Sequence, residues 1–123
     1  MTRSGSTAVA QYLRGRLSPW LPEIASGVGA APRRGERGAG EVRGVPETLI
    51  HVSGGQVDFV TALDTVLLQA RSTGAALSAA WVVRPGAAPD HWPVVLDGGE
   101  FVDLLLPYLG ADVPPLIGGD IPR

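Results

Sequence analysis

Between residues 48 and 84 the chain reads strand, helix, strand, and that order constrains the fold more than any other feature. In residues 57–72, Phe59, Val60, Leu63, Val66, Leu67 and Ala70 recur at helical spacing, with Asp58, Thr61, Asp64 and Thr65 mostly opposite and Gly74 as a natural stop. Upstream, Thr48-Leu49-Ile50-His51-Val52 alternates as a strand and is closed by Gly54-Gly55. Downstream, residues 75–84 are nearly continuously apolar, as a strand buried on both faces is. A helix that long between two strands returns the chain to the starting edge, so the strands are expected to be parallel. A sheet covered by helices follows.

The flanking segments extend the pattern. Residues 7–17 form a first helix, with Ser6 or Thr7 as its cap and Ala8, Val9, Tyr12, Leu13 and Leu17 as its apolar stripe. Pro19 and Pro22 bar its continuation. Residues 23–28 are expected to form a short strand, 29–40 a polar, Gly-rich and basic loop, and 41–45 another strand. After a turn at 85–90 come a strand at 91–96 and an apolar helix at 100–106, which Pro107 kinks or ends. The predicted order is α, β, β, β, α, β, β, α, in a single domain over residues 1–109. Residues 110–123, rich in Pro and Gly and without periodicity, are expected to be a disordered tail or a docking arm.

Composition removes many chemistries. The chain has 123 residues, no Cys and no Lys; all ten of its basic residues are arginines. Disulfides, thiolate nucleophiles and Cys-type zinc sites are therefore absent. So are a P-loop lysine and Schiff-base chemistry. Codon bias of a GC-rich genome, such as that of an actinobacterium or one of its viruses, explains an Arg-only chain. No apolar run approaches the roughly 18 residues that span a bilayer, so no membrane partner is expected. The start lacks the apolar stretch of a secretory signal, so the expected location is the bacterial cytoplasm or a virion.

Charge is segregated. Residues 1–44 hold seven arginines against three glutamates, whereas residues 45–123 hold three arginines against nine acids. The basic third could track phosphates, and its Arg33, Arg34, Arg37 and Arg43, together with Arg84 further along, are the DNA-binding candidates. The net charge of −2 works against strong non-specific DNA affinity. Trp20, between Pro19 and Leu21-Pro22, is the best candidate for an exposed aromatic anchor. The apolar closing helix, with Phe101, Leu105 and Tyr108, is the other interface candidate. Trp81 lies mid-strand and reads as core. His51 and Ser53 share one strand face and, with Glu41 or Asp58, superficially suggest a Ser-His-acid triad. No Gly-x-Ser-x-Gly elbow surrounds Ser53, so that reading is set aside. His51 and His91, far apart and without an acidic cluster, make a weak case for zinc.

Several motifs, in order, resemble one family. Gly40-Glu41-Val42-Arg43-Gly44-Val45-Pro46 resembles the Gly-Asp-Ile-x-Gly-Val-Pro segment of small phage-type Holliday-junction-resolvase-like proteins of the PD-(D/E)XK nuclease superfamily. Ile50-His51-Val52-Ser53-Gly54 stands where those proteins have Ile-Glu-Val-Lys-Asn. Tyr12-Leu13-Arg14 is similar to part of the family's first helix, Val82-Val83-Arg84-Pro85-Gly86 to its valine-rich strand, and Phe101-Val102-Asp103-Leu104-Leu105 to its closing helix. The resemblance covers about residues 5–109. It implies a restriction-endonuclease-like α/β fold, αβββαβ, with a central mixed sheet flanked by helices.

The departures lie where that family does its chemistry. An Asp and a Glu hold Mg²⁺ there, and a Lys orients the attacking water and stabilises developing charge. Here the corresponding residues are Glu41, His51 and Ser53, and the first-helix Glu falls at Ser6 or Thr7. Glu41 can still ligate a metal, His51 is a poor Mg²⁺ ligand, and Ser53 carries no charge. The expectation is a catalytically inactive nuclease fold without a cofactor. It would act as a protein-binding module, as a homo-oligomer or with other phage structural proteins. Two alternatives stay open: a DNA-binding protein or Mg-dependent resolvase acting on branched DNA, and a tail-terminator or head–tail connector type of virion protein. A parallel connection across the 57–72 helix favours the nuclease-like fold, and a purely antiparallel sheet favours the connector.

Overall fold

The computed structural model describes residues 4–32 and 40–111. In order, the elements are α1 (Gly5–Leu17), α2 (Pro22–Gly27), β1 (Gly29–Pro32), β2 (Gly40–Arg43), β3 (Thr48–Ser53), α3 (Phe59–Thr73), β4 (Leu77–Val82), β5 (Val94–Val95) and α4 (Gly98–Tyr108). The strands form one sheet in the order β1-β2-β3-β4-β5. β1, β2 and β3 are an antiparallel meander, β3 and β4 are parallel across α3, and β5 runs antiparallel to β4. The parallel pair is the arrangement that the strand–helix–strand order predicts, and the protein is an α/β domain with a mixed sheet flanked by helices.

The predicted strand at 23–28 is instead α2. Pro22 occupies its first turn, where a missing N–H costs nothing, and Ala25 is buried. The third strand of the meander comes from the predicted loop, as Gly29–Pro32 pairs Ala30 with Val42 and Ala31 with Glu41. The segment between, residues 33–39, lies outside the described residues, as do 112–123, most of the predicted tail. α1 starts earlier than expected because Ser4, not Ser6 or Thr7, is the cap: its Oγ accepts the Thr7 N–H at 3.2 Å. α3 begins after Asp58, whose carboxylate accepts from the Thr61 N–H at 2.8 Å and the Thr61 hydroxyl at 3.0 Å. It ends on Gly74 at φ 71°, the left-handed closure that favours glycine. The predicted strand at 91–96 shrinks to two residues, behind a short 3₁₀ turn at Pro89–His91.

Two cores lie on opposite faces of the sheet. On one, α1 packs Val9 and Ala10 over Val42, Ile50 and Val52, with Leu13, Leu17 and Trp81 at the margin. Tyr12 meets Trp81 edge to face at 5.9 Å, confirming Trp81 as part of the packing. On the other face, α3 packs Ala62 and Val66 over Ala80 and Val82, with Leu49, Leu63 and Val95 beside them. The predicted apolar face of α3 holds in its later turns, where Val66 is buried and Leu63 packs beside it, and fails in the first turn, where Phe59 and Val60 are exposed and Ala62 points inward instead. Close approach to a flat sheet selects the small Ala62, which leaves the bulkier side chains outside. Both cores are built from small side chains. Among the described residues the largest wholly buried hydrophobic side chains are the valines 9, 42, 52 and 66.

Candidate functional site

Glu41, Arg43, His51 and Ser53 share one face of the sheet, the face that α3 covers. Glu41 pairs directly with His51 across the antiparallel β2–β3 ladder, and Ser53 follows two residues along β3. Directly opposed residues bring their Cβ atoms to about 5 Å, so Glu41 and His51 are neighbours. The residues matched to the nuclease motif thus converge in space, but not in an open cleft. His51 and Ser53 are each only 3% exposed. α3 packs over β3, β4 and β5, whereas Glu41 and Arg43 stand on β2, outside the span it packs against. The Glu41 carboxylate lies 3.5 Å from Nε of its own strand neighbour Arg43. Glu41 is half-buried and Arg43 exposed, and such pairs contribute at most about 1 kcal/mol.

This donor set does not suit the Mg²⁺ that the family resemblance implies. Mg²⁺ takes near-octahedral oxygen ligands, whereas the ladder presents one carboxylate, already engaged by a guanidinium, and one imidazole. Among the described residues no group of three His, Asp or Glu side chains could hold a metal ion. A hydrolytic triad also lacks its geometry: Ser53 and His51 project side by side from one strand, and both are closed off from solvent.

The arginines singled out in the sequence do not assemble into one patch among the described residues. Arg33, Arg34 and Arg37 lie outside those residues. Arg43 ends β2 at the level of the start of β3, whereas Arg84 follows β4 beyond the end of β3. Their levels are separated by roughly 20 Å along the strands, at about 3.3 Å per residue.

A second region stands out by its surface. α4 has no buried residue, although Phe101, Val102, Leu104, Leu105 and Leu106 follow one another along it. Phe101 and Tyr108 are exposed and Leu105 partly so, with Tyr108 at 85%. Pro107 falls in the final turn, and the helix stops one residue later at Tyr108. Trp20, in the turn between α1 and α2, is 82% exposed.

One side chain that the sequence did not single out fastens α4 to the domain. Both Glu100 carboxylate oxygens accept from the Ser78 N–H, at 3.2 and 3.3 Å, and from the Ser78 hydroxyl, at 3.1 and 3.2 Å. β5 stops at Val95, so the next β4 donor along that edge is left to the glutamate. Burial, then the nearby negative charges of Asp97 and Asp103, hold the Glu100 pKa above its usual range against the opposing pull of the Ser78 hydrogen bonds. The local signal was visible, because Asp97-Gly98-Gly99-Glu100 has the spacing of a capping box. Its reciprocal half is replaced: Asp97 caps Gly98 at 3.1 Å, while Glu100 reaches across to the sheet. No family model, no curated protein and no solved structure matches the chain.

Proposed function

We propose that the protein is a non-catalytic module on a PD-(D/E)XK-like αβββαβ scaffold, whose work is protein–protein association of the kind that assembles a virion. The observation that carries this reading is the solvent-facing apolar surface of α4, on a chain whose motif-equivalent residues are enclosed. A helix that is apolar around most of its circumference is stable only when something covers it. At the nuclease positions, His51 and Ser53 supply neither carboxylate nor ammonium, and α3 closes over their strand. The parallel β3–β4 pairing across α3 favours this scaffold over a connector-type protein with a purely antiparallel sheet.

The test is incubation of the purified chain with four-way-junction and linear DNA in Mg²⁺ and in Mn²⁺. No cleavage is expected, and Glu41→Ala is expected to behave as the unaltered chain does. Metal-dependent cutting that disappears in Glu41→Ala would overturn the reading in favour of a resolvase. Tight binding to DNA with a steep salt dependence would move the assignment to nucleic-acid recognition.

A further inference from the structure

α4 is amphipathic in the inverted sense. At 100° per residue, Glu100, Asp103 and Pro107 fall within one stripe, and Glu100 is the residue that reaches the domain's own β4. The remaining arc, from Phe101 and Val102 to Leu106 and Leu109, is apolar. A surface helix normally turns its apolar stripe inward, so α4 is built to be covered from outside. Leu105 sits near the middle of that arc.

The outer face of α3 lies on the same side of the sheet. Ser78 projects from β4 on the same side as Ala80 and Val82, which α3 covers, so the attachment point of α4 is on the α3 side of the sheet. There α3 leaves Val60 at 69% and Leu68 at 68% exposed, with Phe59 at 53%. Together with Phe101, Val102, Leu104, Leu106, Tyr108 and Leu109, which are spread over about 200° of the α4 circumference, these side chains leave a total on the order of 1,000 Å² exposed, taking about 200 Å² for a whole large side chain. A stable complex needs about 800 Å² from each partner.

We infer that this flank, the outer face of α3 together with α4, is the interface between two copies of this chain. The composition of the cores singles out a second copy over a foreign partner. Apart from Ile50 and His51, the buried side chains of the described residues are Val, Ala and Ser, whereas both Phe are exposed and every Leu is exposed or only partly buried. That distribution is the one expected of half an obligate interface, which resembles a domain core cut in two. The deficit must be met whenever the chain folds, and the partner present at matching concentration at that moment is the chain itself. A two-fold arrangement also needs a self-complementary patch, which the apolar side chains of this flank supply, although the exposed Asp64, one turn from both Val60 and Leu68, shares the face of α3.

The inference deepens the association reading above and rests on it for its motive, yet the two fail differently. Sedimentation equilibrium of the full chain at micromolar concentration is expected to give twice the 12.7 kDa chain mass. Val102→Glu on α4 and Leu68→Glu on α3 each place a charge on the exposed flank and are expected to halve that mass while the far-ultraviolet circular dichroism is unchanged. Trp20→Glu, at a distant turn, should leave the dimer intact. A wild-type monomer overturns the inference, as does a dimer that survives both helix variants. Should a Glu variant unfold, the Cys-free background supplies a second readout: a thiol introduced as Val102→Cys should react slowly with maleimide at high protein concentration and at least ten times faster on dilution to monomer. Concentration-independent labelling overturns the inference too. A monomer that fails to cut DNA leaves association with another protein standing, whereas a dimer that cuts DNA removes only the non-catalytic reading.

Discussion

Replacing Glu100 by Ala tests the fastening of α4 to the sheet. Ser78 is wholly buried, and its N–H and hydroxyl both donate to Glu100. Without the carboxylate the hydroxyl can rotate to another acceptor, but the N–H is fixed by the strand. Orphaning a buried donor costs about 1–3 kcal/mol. The lower part of that range applies because Glu100 stands near solvent and water can partly replace it. A loss of about 1–2 kcal/mol follows, or roughly 4–8 °C in Tm for a chain of this size. Glu100→Gln keeps one carbonyl acceptor and should lose about half as much. Thermal melts at fixed protein concentration measure both, since self-association makes Tm depend on concentration. The sign with pH gives a second test of the same contact. The Glu100 pKa is raised in the folded state above the ordinary carboxyl value of 4.5, so the native protein holds that proton more tightly than the unfolded chain. Its favourable contribution is complete below pH 4.5 and is lost as pH rises through the raised value. Glu100→Gln should flatten that part of the profile. An Ala variant with unchanged Tm, or a Gln variant with an unaltered slope between those limits, would refute the assignment of Glu100 as the tether.

Three further outcomes are expected. Asp58 behaves with the opposite sign: hydrogen bonds from the Thr61 N–H and hydroxyl hold its pKa below 3.8, so Asp58→Ala should lower Tm at neutral pH. Melts at falling pH should show that difference vanish as the medium passes through the lowered value. Gly44→Ala should be severe, at about 3 kcal/mol or more, because Gly44 sits at φ 98° and an added Cβ would collide with the Gly27 carbonyl; a denaturant titration that shows less than about 1 kcal/mol would contradict that geometry. Trp20→Ala should leave the unfolding free energy within about 0.5 kcal/mol, since nothing is packed on a side chain so exposed.

The sequence made the central crossover legible because its signals agree. Asp58 and Gly74 delimit α3, and the apolar run that becomes β4 is long enough to leave one interpretation. The edges were less legible. Residues 23–28 read as a strand because Ile24 and Val28 outweighed the Pro22 signal, yet Pro at the first helical turn is the stronger physical constraint. β1 was hidden because Gly29-Ala30-Ala31-Pro32 has no strand propensity of its own and is recruited by pairing with β2. On α3, large residues at helical spacing pointed to Phe59 and Val60 as the inner face. The true choice depends on how closely the helix lies on the sheet, which periodicity cannot convey. At the candidate site, the alternation of β3 already put His51 and Ser53 on one face. Their burial came from α3, an element on the far side of a turn.

That burial bears on the proposed non-catalytic reading of Glu41, His51 and Ser53. If Ser53 simply marked a lysine lost from an otherwise intact site, the surrounding space would still admit a long cationic side chain with access to water. Ser53 is instead 3% exposed, beside Val52 and opposite Val82, which lies under α3. An ammonium group placed there would need several more heavy atoms in closed space and would lose its hydration, at a cost of several kcal/mol. The carboxylate on the neighbouring strand, Glu41, is already turned toward Arg43. Ser53→Lys is therefore expected to destabilise the domain by about 3 kcal/mol or more in a denaturant titration, and a well-tolerated lysine would mean that the cleft can open. His51, which faces Glu41 with the same burial, tells the same story from the neighbouring rung. On the non-catalytic reading proposed above nothing requires a substrate at this ladder, and α3 is free to close over β3 with small side chains. Doing so puts Val60 and Leu68 on the outside, on the flank where α4 waits to be covered.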